Sequence, residues 1–408
     1  MAVDVISAIE RMAELGTAPD EGCLLFGVGY EEAFERLKQK YIEQRFSRGG
    51  SAEKFVIGPY GSGKTHFLRQ LMEIGRKADC VTAEVKLTKD VDFTKSLVVY
   101  REVVSEIRCP DSDQRGIRSL LTTCVSRIRS KADGDNERAE LLVRSWVTGL
   151  DKQDFELEPF GRVVRRGLEA HLDRENETFE AACRWLAGDV GDRILSRDLS
   201  VSVVGKSEEN IHGNRAMLSL FQLVKCAGYR GTVVTFDEAE QGLSQNRKTM
   251  DRILSMLQSR INAISDLKKG SALIVYAFTP DLVEQMERLA ALQQRVADPG
   301  PGMGFFDGNT LAPRIELTRR DDPENELREM GRRYVNIAYD HPQWNCEVSR
   351  ETMLSTIDQL ASEIAMDEIS SSSRRSMAKR TCATLVRALD EGVIDTTPIP
   401  DPVLEDEV

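Results

Sequence analysis

No stretch of this 408-residue chain has the roughly 18 consecutive apolar side chains that a membrane-crossing helix needs. Residues 1–13 also lack the basic start and apolar middle of a signal peptide, because they carry Asp4 and Glu10 in an amphipathic helical pattern. Apolar residues make up 41% of the chain and charged residues 30%, which is typical of soluble globular proteins. We therefore expect a cytoplasmic protein of two or three domains without membrane contact.

The chain also lacks the patterns that mark disulfide frameworks and metal centres. Its eight cysteines form no C-x-x-C pair, which indicates reduced and mostly structural thiols. Its four histidines show no metal-ligand spacing, and no Ser-His-Asp or Cys-His arrangement supports a protease or nuclease centre. The formal net charge of -12 argues against a surface that binds nucleic acid as a whole, although it leaves room for a local basic stripe.

The most informative stretch lies between an apolar run and a helical pattern. It is a glycine-rich motif followed by lysine and threonine: Gly58-Pro59-Tyr60-Gly61-Ser62-Gly63-Lys64-Thr65-His66. The pattern G-x-x-x-x-G-K-T after a strand and before a helix predicts a P-loop. The alternative is a glycine-rich strand-to-helix turn in which lysine and threonine occur by chance.

The residue types of this motif suit the binding of a nucleotide. Glycine lets the backbone turn tightly and approach a phosphate, which the backbone N–H groups and the N-terminus of the next helix then bind. We predict that residues 58–66 bind ATP and that Lys64 reaches its β- and γ-phosphates, with a catalytic role as well. We also predict that the hydroxyl of Thr65 binds Mg²⁺.

A second apolar run ends in two carboxylates. Residues 231–236 are rich in β-branched side chains and are followed by Asp237 and Glu238. After a P-loop this pattern predicts a Walker-B-type strand, in which Asp237 holds Mg²⁺ and Glu238 orients and polarises the attacking water. The alternative is an ordinary strand that ends in carboxylates.

A third apolar run, residues 271–278, ends at Thr279. In a parallel sheet this end lies beside the γ-phosphate, so Thr279 is a candidate contact of the phosphate or of the lytic water. The alternative is that Thr279 caps the helix that begins with Pro280, and the two roles are compatible.

Four arginines are candidates for contacts with phosphates. Arg295 lies near the end of a predicted helix over 280–296, and Arg314 opens the last predicted strand. In ring-forming ATPases, arginines at about these places reach the γ-phosphate of a neighbouring subunit. Arg374 and Arg375 lie near the start of the last predicted helix and could fold over bound phosphates. The alternative for each is a solvated surface arginine.

The residues between the glycine-rich motif and the strand that ends in Asp237, from about 92 to 226, have helical periodicity. Predicted helices cover residues 95–108, 113–131, 136–149, 158–171, 174–187 and 213–227. Two basic stripes on these helices are candidates for contact with double-stranded DNA: Arg127, Arg129 and Lys131, and Arg162, Arg165 and Arg166. The alternative is that both are solvated charged faces.

The order of the patterns predicts an α/β protein with a P-loop core, a parallel sheet, a large helical insertion and a C-terminal helical lid. The predicted division is an N-terminal helical segment (1–50), the first part of the core (51–91), the helical insertion (92–228), the second part of the core (229–320), the lid (321–395) and an acidic tail (396–408). A glycine-rich turn at residues 27–30, ahead of the P-loop strand, is a candidate for holding the adenine base, or a plain turn.

This order of motifs resembles that of AAA+ ATPases of the initiator and loader type. More narrowly, the P-loop through Leu68, the segment from Val233 to Glu240 and the helix with Arg374-Arg375 resemble the ATP-binding proteins of BREX-type phage-defence systems, the BrxC/BrxD-like family. The resemblance covers residues 20–391. It implies nucleotide-driven work in a bacterial antiviral complex, with other subunits of that complex as partners and with double-stranded DNA and a homo-oligomer as further partners.

We therefore expect an ATPase that uses ATP and Mg²⁺ to drive a conformational change in a phage-defence complex. The alternative is a nucleotide-binding scaffold or sensor that hardly turns over and regulates a partner nuclease or other effector, since fast and slow P-loop proteins share these motifs. A small-molecule kinase fits less well, because a long helical insertion and a lid suit a macromolecular partner better than a compact metabolite pocket.

Overall fold

The computed structural model describes residues 4–88, 91–237, 247–286, 293, 300–317, 322–367 and 373–399. Five strands form a sheet in which every neighbouring pair is parallel. In chain order they are β1 (Ala52–Ile57), β2 (Cys80–Lys86), β3 (Gly231–Asp237), β4 (Ala272–Phe278) and β5 (Arg314–Glu316). Across the sheet their order is β2-β3-β4-β1-β5. The predicted α/β class and parallel sheet are confirmed.

The central strands form because their side chains are buried on both faces. All residues of β3 and β4 are buried, as expected for parallel strands that helices cover on both sides. β4 is paired with β1 on one side and with β3 on the other. The carboxyl ends of β1, β3 and β4 therefore meet at one edge of the sheet, the edge at which open α/β sheets bind ligands.

One face of the sheet is covered by helices close to β1 in the chain. The helices before and after β1 are α1 (Val5–Leu15), α2 (Cys23–Phe26), α3 (Glu31–Leu37), a π-helix (Lys38–Arg45) and α4 (Lys64–Lys77). Phe34 of α3 and Leu68 of α4 share a hydrophobic core with Val56 and Val275 of the sheet. α4, which follows the predicted P-loop, is thereby fixed against the centre of the sheet.

The π-helix replaces the second half of a helix that the sequence predicts over residues 31–46. Tyr41 and Phe46 are both buried and lie five residues apart, which is the hydrogen-bond spacing of a π-helix rather than of an α-helix. The hydroxyl of Tyr41 donates to the carbonyl oxygen of Thr310 (2.6 Å). The wider turn therefore allows both rings to face the core, and hydrophobic periodicity alone does not reveal it.

The other face of the sheet is covered by the chain between β2 and β3. In this part, whose residues from 91 to 237 are all described, the helices are α5 (Ser96–Glu106), α6 (Ile117–Ser130), α7 (Asn136–Gly149), a 3-10 turn (Leu150–Lys152), α8 (Glu158–Leu172), α9 (Asn176–Leu186), α10 (Arg193–Asp198) and α11 (Glu209–Cys226). α5 lies against β2, and α11 lies against β3. These helices share one hydrophobic core with Phe236 and Tyr276 of the sheet. They therefore extend the core of the sheet.

α10 lies in a stretch for which the sequence predicts no helix. Six residues make less than two turns, too few to show helical periodicity. The carboxylate of Asp192 accepts hydrogen bonds from the backbone N–H groups of Ile194 (2.8 Å) and Leu195 (3.1 Å). This cap fixes the start of the helix.

The C-terminal helices form a third core together with the N-terminal helix. Among the described residues after β3, the helices are α12 (Arg247–Ser265), α13 (Pro280–Met286), α14 (Pro323–Tyr339), α15 (Arg350–Asp367) and α16 (Ser373–Glu391). The last three of them form this third core. α1 packs along α16, and Ile9 of α1 is buried with Ile357 of α15 and Met377 of α16. Within the predicted N-terminal segment, 1–50, α1 packs in this third core and α3 packs in the core of the sheet.

Candidate functional site

The loop between β1 and α4 has a backbone shape that requires glycine at two positions. The φ angle is 78° at Gly61 and 91° at Gly63, in the left-handed region that residues with a Cβ rarely adopt. At Gly58, an added Cβ would lie 2.3 Å from the Oγ of Ser62. We call residues 58–63 the glycine loop. Its shape depends on all three glycines that the motif contains.

Lys64 is the first residue of α4, directly after the glycine loop. Its Nζ donates to the carbonyl oxygens of Gly58 (2.9 Å) and Pro59 (3.1 Å), so the side chain lies back over the loop. The side chain of Lys64 is buried, whereas Tyr60 is 63% exposed. An anion bound by the N–H groups at this helix N-terminus would therefore meet the ammonium group of Lys64.

Asp237 ends β3 at the same edge of the sheet. It is buried, and its backbone carbonyl accepts a hydrogen bond from the N–H of Leu87 (2.9 Å), which extends the pairing of β3 with β2. Asp237 is paired in register with Lys86. Lys64, Thr65 and Asp237 all line one cavity. The topology of the sheet thus brings together residues from two distant parts of the chain.

This cavity has a volume of about 430 Å³ and lies between the glycine loop, the N-terminal segment and the C-terminal helices. Its basic lining residues are Arg11, Lys64, Arg69, Lys86, Arg374 and Arg375. Among the described residues that line it, Asp237 supplies the only carboxylate. Apolar side chains cover much of the remainder: Met12, Leu15, Phe26, Val28, Met330 and Tyr334. The cavity therefore suits a ligand that combines several negative charges with an apolar or flat group.

Arg374 brings the C-terminal helices to the glycine loop. Its Nη1 donates to the carbonyl oxygen of Ser62 (3.4 Å), and its guanidinium carbon lies 4.9 Å from the centre of the Tyr30 ring. The same guanidinium forms an ion pair with Glu326 of α14. Three parts of the chain, namely the N-terminal segment, the glycine loop and α14, therefore meet at Arg374.

Arg375, the next residue, points to a different place. Its Nη2 donates to the carbonyl oxygen of Leu15 (3.0 Å), at the end of α1, and the residue is exposed. Both arginines line the cavity, but among the contacts of the described residues only those of Arg374 reach the glycine loop. The two candidates that the sequence leaves equivalent are thus distinguished by geometry.

His66 lies at the start of α4 with an imidazole that stays neutral at physiological pH. Burial, followed by the positive charges of Arg374 and Arg69, lowers its pKa to about 4. His66 lines the cavity. It can therefore donate or accept a hydrogen bond there, and it adds no charge to the basic lining.

The lining offers oxygen ligands of the kind that Mg²⁺ prefers. Thr65 and Asp237 both line the same cavity, and Mg²⁺ is commonly held by one or two protein oxygens together with phosphate and water. Within the described part of the chain, no group of three or more His, Cys, Asp or Glu side chains converges on a metal position. The residues therefore fit an ion that takes most of its ligands from a nucleotide and from water.

The sequence matches one family over nearly its whole length. The model of the BREX system ATP-binding proteins BrxC/D matches residues 2–389. The chain belongs to the BrxC/D family. The resemblance expected from the motifs is thereby confirmed, and membership supports ATP as the ligand and a role in phage defence beside other components of the BREX system. Neither the curated proteins nor the solved structures contain a match.

Two of the predicted catalytic residues of this BrxC/D protein, Glu238 and Arg295, lie outside the described residues.

Thr279 is described and partly buried. Its carbonyl accepts hydrogen bonds from the N–H groups of Leu282 (3.2 Å) and Val283 (3.3 Å) at the start of α13. Among the described residues, those that line the cavity do not include Thr279. Its catalytic role therefore stays a prediction from the sequence.

Arg314 lies at the edge of the sheet with most of its side chain buried. It lies in β5 beside Phe55 of β1, and only 11% of its side chain is exposed. Its Nη2 forms an ion pair with Glu316 two residues later in the strand (2.5 Å). A contact of Arg314 with the γ-phosphate of a neighbouring subunit stays a prediction from the sequence.

The two basic stripes of the BrxC/D chain are largely matched by acids. The ion pairs join Arg127 to Asp79 and to Asp111 (3.2 Å), Arg129 to Glu140 (3.7 Å), Arg162 to Glu158 (3.1 Å), and Arg165 to Asp151 and to Glu169 (2.8 Å). A nucleic-acid phosphate would have to compete with these carboxylates. This pairing matches the alternative interpretation of the stripes as charged, solvated helix faces.

No described helix has both the length and the hydrophobicity that crossing a membrane requires.

Sequence reasoning missed Glu326, Arg69 and Lys86 as parts of the site. Lys86 could have been found, because it ends β2 as Asp237 ends β3 and the two strands are neighbours. Arg69 follows Lys64 by five residues on α4 and is held by Glu84 (3.0 Å). Glu326 has no local signal, because its relation to the glycine loop exists only through the packing of α14 against α16.

Proposed function

We propose that this BrxC/D family member is a P-loop ATPase, AAA+-like in plan, that hydrolyses ATP to drive a conformational change in its antiviral complex. The observation that carries the proposal is the convergence of Lys64, Thr65 and Asp237 on one basic cavity at the carboxyl edge of the sheet. The strand order supports it, since β4 lies between the strand of the glycine loop and the strand of Asp237. The end of β4 is therefore next to the place where a phosphate would be attacked.

In this proposal each side chain has a separate role. The N–H groups of the glycine loop bind the phosphates. Lys64 gives up its hydrogen bonds to the carbonyls of Gly58 and Pro59 and neutralises the negative charge of the phosphates. Thr65 and Asp237 hold Mg²⁺, which when bound stabilises the charge of the phosphate oxygens. Glu238, the residue after Asp237, polarises the attacking water, while Thr279 and Arg295 are secondary candidates for contact with the γ-phosphate.

The predicted division of the chain fits this activity and is part of the proposal. Residues 51–91 and 229–320 form the ATPase core, residues 92–228 the helical insertion and residues 321–395 the lid. The third core, which joins the lid helices to α1, supports the lid as a separate packing unit. Because Arg374 extends from the lid to Ser62 of the glycine loop, nucleotide binding would change the position of the lid relative to the core.

The experiment is steady-state ATP turnover of the full chain with and without Mg²⁺, beside Lys64→Ala and Glu238→Gln. Lys77→Ala is the matched control, because Lys77 is an exposed lysine at the far end of the same helix. We expect Mg²⁺-dependent turnover that both site variants lose and the control keeps. Wild-type turnover in Glu238→Gln would refute the role of this glutamate. ATP binding through Lys64 without any turnover would favour the nucleotide-binding scaffold or sensor.

Double-stranded DNA and further copies of the chain are proposed as partners that stimulate turnover. Contact with DNA phosphates makes affinity fall steeply with salt, with a log–log slope of about −0.9 for each phosphate neutralised. Turnover should therefore be measured with DNA at several salt concentrations and at several protein concentrations. Stimulation that does not depend on salt would argue against phosphate contacts, and turnover per subunit that does not depend on protein concentration would argue against assembly during the assay.

A further inference from the structure

Glu326 is the partner that fixes Arg374 in the cavity. Its side chain is 9% exposed and that of Arg374 is 20% exposed, so their ion pair is largely shielded from water. A guanidinium can bind two partners through its separate N–H groups. In Arg374, Nη2 faces Glu326, whereas Nη1 faces the carbonyl of Ser62. Because Nη1 carries two N–H groups, it can donate to Ser62 and also to another acceptor beside the glycine loop.

The position of Glu326 is itself fixed by the start of α14. The carboxylate of Asp322 accepts a hydrogen bond from the N–H of Asn325 (3.0 Å), and the N–H of Glu326 donates to the carbonyl of Asp322 (3.2 Å). Pro323 at the first helical position strengthens this start. The carboxylate of Glu326 therefore lies on a well-defined first turn, near the positive end of the helix dipole.

The rest of the surroundings limit the freedom of Arg374 further. The ring of Tyr30 lies under the guanidinium, and an added Cβ at Gly63 would lie 3.4 Å from Nη1. A free arginine side chain loses rotamer entropy when it is fixed. Glu326 and Tyr30 already hold Arg374 beside Gly63. Phosphate binding at the loop would therefore not have to fix the side chain of Arg374 and lose its rotamer entropy.

We propose that Glu326 is a positioning residue that presents Arg374 to the phosphates of the bound nucleotide. The proposal rests on the proposed binding of ATP at the glycine loop. Glu326 keeps Nη2 and the phosphates take Nη1, so the ion pair persists in the bound state. Glu326 touches no reacting atom in this arrangement and acts only through Arg374.

The test is the affinity of the full chain for Mg²⁺-ATP, measured by titration calorimetry. Four proteins form a cycle: wild type, Glu326→Gln, Arg374→Ala and the double variant. We expect Glu326→Gln to weaken ATP binding about tenfold, as for the loss of a charge-assisted hydrogen bond. In the Arg374→Ala background the same change should alter affinity less than about twofold, because Glu326 then has nothing to position. Glu329→Gln is the matched control, since Glu329 is exposed on the same helix.

Several results would overturn the proposal. An equal loss of affinity in both backgrounds would assign Glu326 a purely structural role. A gain in affinity in Glu326→Gln would show that the carboxylate competes with the phosphates. If Glu326→Gln does not fold, Glu326→Asp keeps the charge but withdraws it by one methylene, and an unchanged affinity there would count against positioning.

Failure of this inference is distinguishable from failure of the proposed function. Loss of ATP binding in Lys64→Ala together with unchanged binding in Glu326→Gln would refute only the role of Glu326. Unchanged binding in Lys64→Ala would refute the site itself.

Discussion

Gly27 lies directly against the carboxamide of Gln70: a Cβ added to Gly27 would be 2.3 Å from the amide carbon, oxygen and nitrogen of that side chain. Gln70 is on α4, is 5% exposed and lines the cavity. On the same helix, Glu73 accepts hydrogen bonds from the N–H groups of Cys23 (2.7 Å) and Leu24 (3.1 Å). α2 and the residue after it are therefore fixed against the helix that begins at the glycine loop.

Gly27→Ala should therefore destabilise the protein by about 1 kcal/mol, the lower end of the cost of overpacking, because the amide at the end of the Gln70 side chain can shift. It should also weaken ATP binding, because the displaced amide of Gln70 would enter the cavity. Urea unfolding and ATP titration measure the two effects. The control is Gly149→Ala at the end of α7, where an added Cβ has nothing within 4 Å. Equal stability of the two variants would contradict the close contact.

Arg374→Ala should reduce ATP affinity by about tenfold or more, whereas Arg375→Ala should change it less than about threefold. The reason is that Arg374 faces Ser62 of the glycine loop and Arg375 faces the carbonyl of Leu15 at the end of α1. Equilibrium titration with ATP measures both, and each variant serves as the control for the other. A larger loss in Arg375→Ala would reverse the assignment.

The parts of the fold that sequence predicts well depend on local chemistry. The apolar runs that form β3 and β4 are short and rich in β-branched residues, which favours buried strands, and all their residues are buried. The glycine motif is readable because left-handed φ angles at Gly61 and Gly63 exclude most other residues. The start of α4 at Lys64 follows directly from this motif.

The parts that sequence does not predict depend on contacts between distant residues. The packing of α1 along α16 joins residues far apart in the chain, and the ion pair of Glu326 with Arg374 joins α14 to α16. An amphipathic helix indicates that it has a buried face but not which surface it contacts. For the same reason the sequence does not show which of Arg374 and Arg375 reaches the glycine loop. The two adjacent arginines are distinguished only by how α16 packs.

Lys54 should make the stability of the protein depend on pH. It is 1% exposed in β1, and its Nζ donates to the carbonyls of Thr310 (3.2 Å) and Ala312 (2.5 Å). Burial, followed by the charge of Arg45, lowers its pKa from 10.5 to about 7. Between these two values the unfolded chain binds more protons than the folded chain, so the free energy of unfolding should rise with pH.

The slope contributed by one such group is at most about 1.4 kcal/mol per pH unit. Urea unfolding between pH 7 and pH 9 should therefore show a steeper rise for the wild type than for Lys54→Met. Lys77→Met, at an exposed lysine, should keep the wild-type slope. Identical slopes in all three proteins would mean that Lys54 does not titrate in this range.

Ile9→Ala tests whether α1 is part of the lid. Ile9 is completely buried against α15 and α16, so the cavity left by the substitution should cost about 2–5 kcal/mol. Because Met12 and Leu15 of the same helix line the cavity, a loosened α1 should also weaken ATP binding.

Hydrogen exchange of Ile9→Ala should show faster exchange in α1 and α16 and unchanged protection in β3 and β4. Ile194→Ala, at an isoleucine that is 65% exposed, is the control and should change neither quantity. Faster exchange spread evenly over the sheet and the C-terminal helices would show instead that α1 supports the whole molecule rather than the lid.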